Sequence, residues 1–315
     1  MNIFLAASAL LTGIGVFMTG VLNLRQSLQY LMQGKLKNTI RTFGKNRYKA
    51  AGVGATFAAL MHSSGAVATL TIGLVHTGGL TLLAAGAVIL GANIGTTIVG
   101  ITAASGILGF GSALSLFVFF GILITLLAKK NFSKILGQAF IGLGLIFFGM
   151  QTMSNSFAEK ELAVVVGQAF KSIKIAPMLV LFSALITAIL QSSSSMVALT
   201  ITMVASQTIP LKTALFIVLG ADAGTCITAI IAGLGTTKDS KRAALIQLLF
   251  NVFGVVLFTL VLSFCGEVVA HWMTLLCPNI ALSVSMFHLF FNLITVIIAL
   301  PLLNHLIKLT HLMIK

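Results

Sequence analysis

The sequence predicts an all-α integral membrane protein built from two repeated units. Three observations predict it. Of 315 residues, 58% are hydrophobic and only 8% charged, with a mean hydropathy of +1.11, whereas soluble domains carry about 25% charged residues. Apolar stretches of about 20 residues, the length of a span, recur along the whole chain. The chain also overlays itself without a gap when shifted by 129 residues.

Taken in order, residues 3–24 form a first span, with no basic region ahead of the apolar run to mark a cleaved leader. Seven of the 19 Lys and Arg follow: Arg25, Lys35, Lys37, Arg41, Lys45, Arg47 and Lys49. This makes 25–49 a basic cytoplasmic loop, which with Tyr30 suits an amphipathic surface helix. Spans are expected at 80–104, 107–128, 136–153, 210–233, 243–264 and 281–304, with Lys129, Lys130, Lys134, Lys238, Lys241, Arg242, Lys308 and Lys315 near their ends. Two further apolar stretches, 50–77 and 178–206, are broken at the middle by His62-Ser63-Ser64-Gly65 and by Gln191-Ser192-Ser193-Ser194-Ser195. One or two serines can back-bond within a helix, but four hydroxyls in a row suit a lipid-facing helix badly. Tyr48 and Trp272, with His76, His271, His305 and His311, suit membrane interfaces. Cys226, Cys265 and Cys277 have no metal-binding spacing.

The shift of 129 places Gly13, Gly15 and Gly20 on Gly142, Gly144 and Gly149, and His62-Ser63-Ser64 on Gln191-Ser192-Ser193. It also places Gly91-Ala92-Asn93-Ile94-Gly95-Thr96 on Gly220-Ala221-Asp222-Ala223-Gly224-Thr225. Three separate motifs at one offset indicate a duplicated unit. We divide the chain into a first repeat, 1–129, and a second, 130–315, which includes the C-terminal helices. If 50–77 and 178–206 are re-entrant hairpins, the repeats are inverted, and 15 Lys and Arg face inside against four outside (Lys160, Lys171, Lys174, Lys212). Single spans would give parallel repeats and the same tally, so charge does not choose. The central polar breaks favour hairpins.

Composition excludes several functions. Only five acids serve the chain, which starves mechanisms that need paired carboxylates. The net charge of +14 sits in short connections between spans, a positive-inside pattern rather than a nucleic-acid footprint. An intramembrane hydrolase built on His62 and Ser63 fails because sequence neighbours rarely reach base-to-nucleophile geometry, and Gln191 at the matching position cannot act as a base. A pore lined by hydroxyls would not need two facing broken hairpins. Paired, interrupted segments in two halves instead point to a carrier's central site. There, half-helix N-termini suit an anion, and freed carbonyls with hydroxyls suit a small cation.

These residues resemble the sodium/phosphate cotransporter family. The likeness rests on the paired Gln-Ser-Ser-Ser motifs, each followed by a Gly-Ala-Asn-Ile-Gly-Thr-Thr segment, on Asn251 in Leu-Phe-Asn-Val-Phe-Gly, and on His288 to Asn292 in Phe-His-Leu-Phe-Phe-Asn. It extends from about Gly13 to Pro301. The resemblance implies inverted repeats, each with a re-entrant helical hairpin and an unwound transmembrane helix. It implies sodium-coupled symport of inorganic phosphate by alternating access in the cell (inner) membrane, with sodium as co-substrate and no other cofactor.

Carried onto this chain, the resemblance assigns Ser63, Ser64, Gln191, Ser192, Ser193 and Ser194 to the binding site, lined also by Asn93, Thr96 and Thr225. Sodium would be held through Ser64, Gln191, Ser193 and Thr225. Hydroxyls, the Gln amide and backbone N–H groups can donate to phosphate. With no basic residue inside either motif, sodium and helix ends would balance its charge. The chain departs from the family pattern at His62, Gly65, Asp222, Ala223 and Cys226. His62 and Asp222 suit an extra cation or proton site, and Cys226 suits packing. These departures leave open coupling to protons and transport of another small anion (sulfate, arsenate or a carboxylate). The chain is expected to lack the soluble regulatory domain of many bacterial members. A homodimer is one assembly compatible with it.

Overall fold

The computed structural model describes residues 3–32, 35–44, 46–105, 114–173, 175–277 and 279–315. Lys45, Lys174 and the first part of the expected span at 107–128 lie outside them, as do the side chains of Lys37 and Arg41. Among the described residues there are sixteen α-helices and no strand. The first half holds α1 (Ile3–Leu31), α2 (Lys35–Phe43), α3 (Arg47–Met61), α4 (Ser64–His76), α5 (Leu82–Thr96), α6 (Ile98–Ser105) and α7 (Phe117–Leu127). The second holds α8 (Asn131–Phe157), α9 (Lys160–Ser172), α10 (Ala176–Leu190), α11 (Ser193–Ala205), α12 (Leu211–Gly224) and α13 (Cys226–Gly233), followed by α14 (Lys238–Leu276), α15 (Ile280–Ala299) and α16 (Leu303–Met313). Among the described residues, six stretches are long and apolar enough to cross a bilayer: 3–31, 82–105, 131–157, 211–233, 238–276 and 280–299. This is an all-α membrane protein.

The first correction concerns α1. Its apolar face continues past residue 24 through Leu24 and the partly buried Leu28, so the helix carries Arg25 inward instead of releasing it into a loop. The basic segment after it does form a short amphipathic helix, α2. The span expected to begin at 243 begins at Lys238, capped by Thr237. It runs 39 residues, about 58 Å at 1.5 Å per residue, with a kink at Cys265 (φ −120°, ψ 17°).

Close glycine contacts order the helices. A Cβ on Gly20 would lie 2.6 Å from the Ile146 nitrogen and 2.7 Å from the Gly142 carbonyl oxygen, and one on Gly13 would lie 2.9 Å from the Met153 nitrogen. Gly13 therefore meets the later turns of α8 and Gly20 the earlier ones, so α1 and α8 cross antiparallel at backbone contact. In the first half, a Cβ on Gly91 would overlap the Ala51 carbonyl and one on Gly95 that of Ala55. The same overlaps recur 129 residues on, Gly220 with Val180 and Gly224 with Ala184. Contacts in the same chain order mean that α3 runs parallel to α5, and α10 parallel to α12. The connecting helices α4 and α11 must run back, which makes 50–77 and 178–206 hairpins.

The two hairpins open at opposite ends of α14. At the first, the Thr237 N–H donates to His76 Nδ1 (3.3 Å) and Ser240 Oγ to the Ile72 carbonyl (3.2 Å). Arg47 Nη1 donates to the Pro301 carbonyl (3.2 Å) on the same side. At the second, Lys212, at the start of α12, pairs with Glu267 near the far end of α14 (3.2 Å).

Candidate functional site

Each hairpin turns through the same two-residue break. α3 ends at His62 in the left-handed conformation (φ 49°, ψ 32°), and the extended Ser63 (φ −161°, ψ 111°) caps α4. α10 ends at Gln191 (φ 51°, ψ 28°), and Ser192 (φ −149°, ψ 102°) caps α11. Left-handed geometry is uncommon outside glycine, and its persistence at both tips points to a functional demand on these side chains. The Ala66 N–H donates to Ser63 Oγ (3.1 Å). The Ser195 N–H (3.3 Å) and Ser195 Oγ (2.9 Å) both donate to Ser192 Oγ. The remaining first-turn amides of α4 and α11 lack helical partners, and each such end presents about half a positive charge.

The tips meet at a narrow, largely buried cleft, with Gln191 exposed at its lip. It is lined by the expected Ser63, Ser64, Gln191, Ser192, Ser193 and Ser194, with His62, Thr96 and Thr225. Four further residues join them: Val21, Gly65, Thr228 and Arg25. From the cleft a vestibule of about 570 Å³ extends along α1, α4 and α13 toward Gln29, Leu70 and Ala232, the side where the first hairpin opens. Apolar residues of the second tip stand in it, and Ile189 is 82% exposed.

Arg25 is what sequence reasoning missed. Its Nη2 donates to Ser63 Oγ at 2.6 Å, and its Nε is buried without a partner. A guanidinium thus stands between the capping hydroxyl of one tip and the open vestibule. The available signal was apolar spacing continuing beyond residue 24, which argues against a loop at Arg25. Thr228 was also missed. Its Oγ1 donates to the Thr225 carbonyl (2.8 Å) and would lie 3.1 Å from a Cβ at Gly65, so Gly65 leaves room for this hydroxyl where its repeat mate is Ser194.

Asn93 and Asp222 lie on the paired spans α5 and α12, each three residues before a threonine of the cleft. Asn93 does not line the cleft; its Nδ2 donates back to the Ile89 carbonyl (3.0 Å). Its repeat mate Asp222 also lies outside the cleft lining. One carboxylate oxygen is 2.9 Å from His288 Nε2, and the other accepts from Asn292 Nδ2 at 2.6 Å. The Asp222 carbonyl accepts from Thr225 Oγ1 (2.7 Å) and Asn251 Nδ2 (3.0 Å), and Asn251 Nδ2 also reaches Cys226 Sγ at 3.3 Å. The residues quoted for the resemblance, Asn251, His288 and Asn292, therefore converge on this acid. The expected unwinding of the paired spans is slight. Thr97 and Thr225 keep right-handed helical dihedrals, and each break is one tightened turn, with the Gly100 N–H donating to the Thr97 carbonyl (3.0 Å) and the Thr228 N–H to the Thr225 carbonyl (3.1 Å).

A multi-pass helical protein with two capped hairpin tips facing one polar cleft belongs, by architecture, among membrane carriers. The family model described as Na+/Pi-cotransporter matches residues 16–155 and 157–300, and the chain belongs to that family. It is a family of transporters, not enzymes, and the chain is a multi-pass protein of the cell membrane. It is 29% identical over 302 residues to "Uncharacterized protein YqeW" of Bacillus subtilis, covering 95% of both chains. It is likewise 29% identical over 297 residues to the "Putative inorganic phosphate export protein YjbB" of Escherichia coli K12 and to that of Salmonella typhimurium. The match takes in 93% of this chain and 53% of each YjbB, so the chain spans about half their length. No solved structure matches the chain.

Proposed function

We propose that this chain carries inorganic phosphate across the membrane together with sodium, by alternating access around the cleft between the hairpin tips. The observation that carries the reading is the meeting of two capped helix N-termini and Arg25 at one largely buried cleft. Phosphate is an acceptor-rich anion, and the lining offers it donors: serine hydroxyls, the Gln191 amide, first-turn N–H groups and a guanidinium. Sodium takes neutral oxygens, which Ser64, Gln191 and Ser193 supply. Membership of a sodium/phosphate family and the phosphate named for the YjbB relatives support the substrate. The direction of net flow follows the combined gradients.

Residues 1–129 and 130–315 act in this reading as inverted repeats, each giving a hairpin and an interrupted span to the centre. The antiparallel α1–α8 crossing and the hairpins entering from opposite ends of α14 support it. The basic loop 25–49, from Lys35 onward, then lies in the cytoplasm, and the vestibule opens toward it.

The test is uptake of radiolabelled phosphate by proteoliposomes under an inward sodium gradient or a matched potassium gradient, with Ser193→Ala beside the wild type. Sodium-dependent uptake lost in the variant supports symport at this cleft. Absence of uptake in both gradients overturns it, and uptake driven equally by potassium removes the sodium coupling.

A further inference from the structure

Among the described residues that line the cleft and the vestibule, Arg25 is the one permanently charged side chain. His62 is the only other titratable group among those lining residues, and no Asp or Glu is among them. The buried acid of the neighbouring span, Asp222, is engaged by His288 and Asn292 on α15. The partner of Arg25 at the tips is a neutral hydroxyl, Ser63 Oγ at 2.6 Å, which orients the guanidinium without neutralising it. The N-termini of α4 and α11 add about half a positive charge each, and the C-termini of α3 and α10, which end at the same tips at His62 and Gln191, take about as much away. The empty site thus carries roughly one positive charge, that of Arg25, which the open vestibule leaves accessible to water.

Alternating access requires that this water be expelled. Closing over an empty site buries a cation with no counter-ion, one of the costliest events in a membrane interior. A sodium ion alone would add to the excess. Closing over hydrogen phosphate, a dianion, together with one sodium ion leaves a site near neutrality. We propose that this protein exchanges phosphate for phosphate across the membrane much faster than it carries phosphate one way. The loaded form closes over Arg25 readily; the empty form does so slowly and limits net flow. This rests on the phosphate-transport reading and adds an activity to it. It also divides the counter-charge for phosphate between sodium and a fixed side chain.

The test uses proteoliposomes of the full chain with equal sodium on both sides, preloaded with unlabelled phosphate or with gluconate at matched ionic strength. Initial entry of radiolabelled phosphate is followed in each. Internal phosphate is expected to speed entry about tenfold, a difference of ~1.4 kcal/mol between the barriers. Arg25→Lys keeps the charge and should keep that ratio while raising KM. Arg25→Gln should bring the ratio close to one as phosphate affinity falls. If Arg25→Gln does not fold, the wild-type and Arg25→Lys ratios still decide. Equal entry with and without internal phosphate in the wild type overturns the proposal while leaving phosphate transport standing. A full ratio retained in a folded Arg25→Gln protein overturns the role of the guanidinium. No phosphate entry under any loading overturns the transport reading and this proposal together.

Discussion

The two hairpin tips share a backbone but not an electrostatic environment, and this difference is measurable. Ser63 and Ser192 each cap a helix, yet only Ser63 accepts a hydrogen bond from an arginine. Ser63→Ala removes the cap, worth about 1 kcal/mol. It also removes the charged bond from Arg25 Nη2, worth about 1.5–3 kcal/mol, from a guanidinium whose Nε already lacks a partner. The expected loss is therefore about 2.5–4 kcal/mol. Ser192→Ala removes the cap and a neutral bond from Ser195 Oγ, about 1.5–2.5 kcal/mol in all. Equilibrium unfolding in mixed micelles with rising dodecyl sulfate, followed by circular dichroism, reads both. A cycle of Ser63→Ala with Arg25→Met should then give a coupling of about 1.5–3 kcal/mol. Equal losses at the two serines, or zero coupling in the cycle, would refute the assignment of Arg25 to the first tip.

Adding a methyl at Gly20 or at Gly149 forces α1 and α8 apart at a backbone contact, so Gly20→Ala and Gly149→Ala should each cost about 1–3 kcal/mol in the same unfolding assay. Gly15→Ala, where nothing lies within 4 Å of the new Cβ, should be neutral. Asp222→Ala leaves His288 and Asn292 without their shared acceptor and should destabilise by about 3–5 kcal/mol, whereas Asp222→Asn, matched in shape, should cost markedly less. In a cysteine-free background, a cysteine at Gln29 or Ala232 should react with an impermeant maleimide from the cytoplasmic side alone, and phosphate should slow labelling of Ser195→Cys. Native Cys265, on the exposed face of α14, should react with a lipophilic maleimide, while Cys226, buried against Asn251, should not.

What the sequence made legible depended on how local the cause was. The tip motifs could be read because a serine cap, a broken helix and a duplicated spacing are all short-range signals. His62-Ser63-Ser64 and Gln191-Ser192-Ser193 accordingly line the cleft. At Arg25 the sequence predicts a loop, because a charge after an apolar run usually ends a span, whereas here its helix lies beside a hairpin whose hydroxyl receives it. The pairing of Asp222 with His288 joins residues 66 apart in sequence, a separation at which no periodicity speaks. Asn93 and Asp222 sit at equivalent repeat positions yet differ in role, because α15 brings a histidine and an amide to only one of them. The spans were found but their ends were displaced, since capping by Thr237 and the apolar face of α1 both lengthen helices beyond their most hydrophobic core.

The crossing of α1 and α8 has a consequence for how such a molecule can arise. Gly13 faces Gly149 while Gly20 faces Gly142, and these are mutual counterparts at the 129-residue offset. The contact is therefore self-complementary, the hallmark of an isologous interface between identical subunits. A free-standing half of this protein would carry both faces of that crossing contact. Joining the halves in one chain makes that association unimolecular, independent of concentration and of chance orientation. Each half is then free to diverge, the first with its arginine and the second with its aspartate.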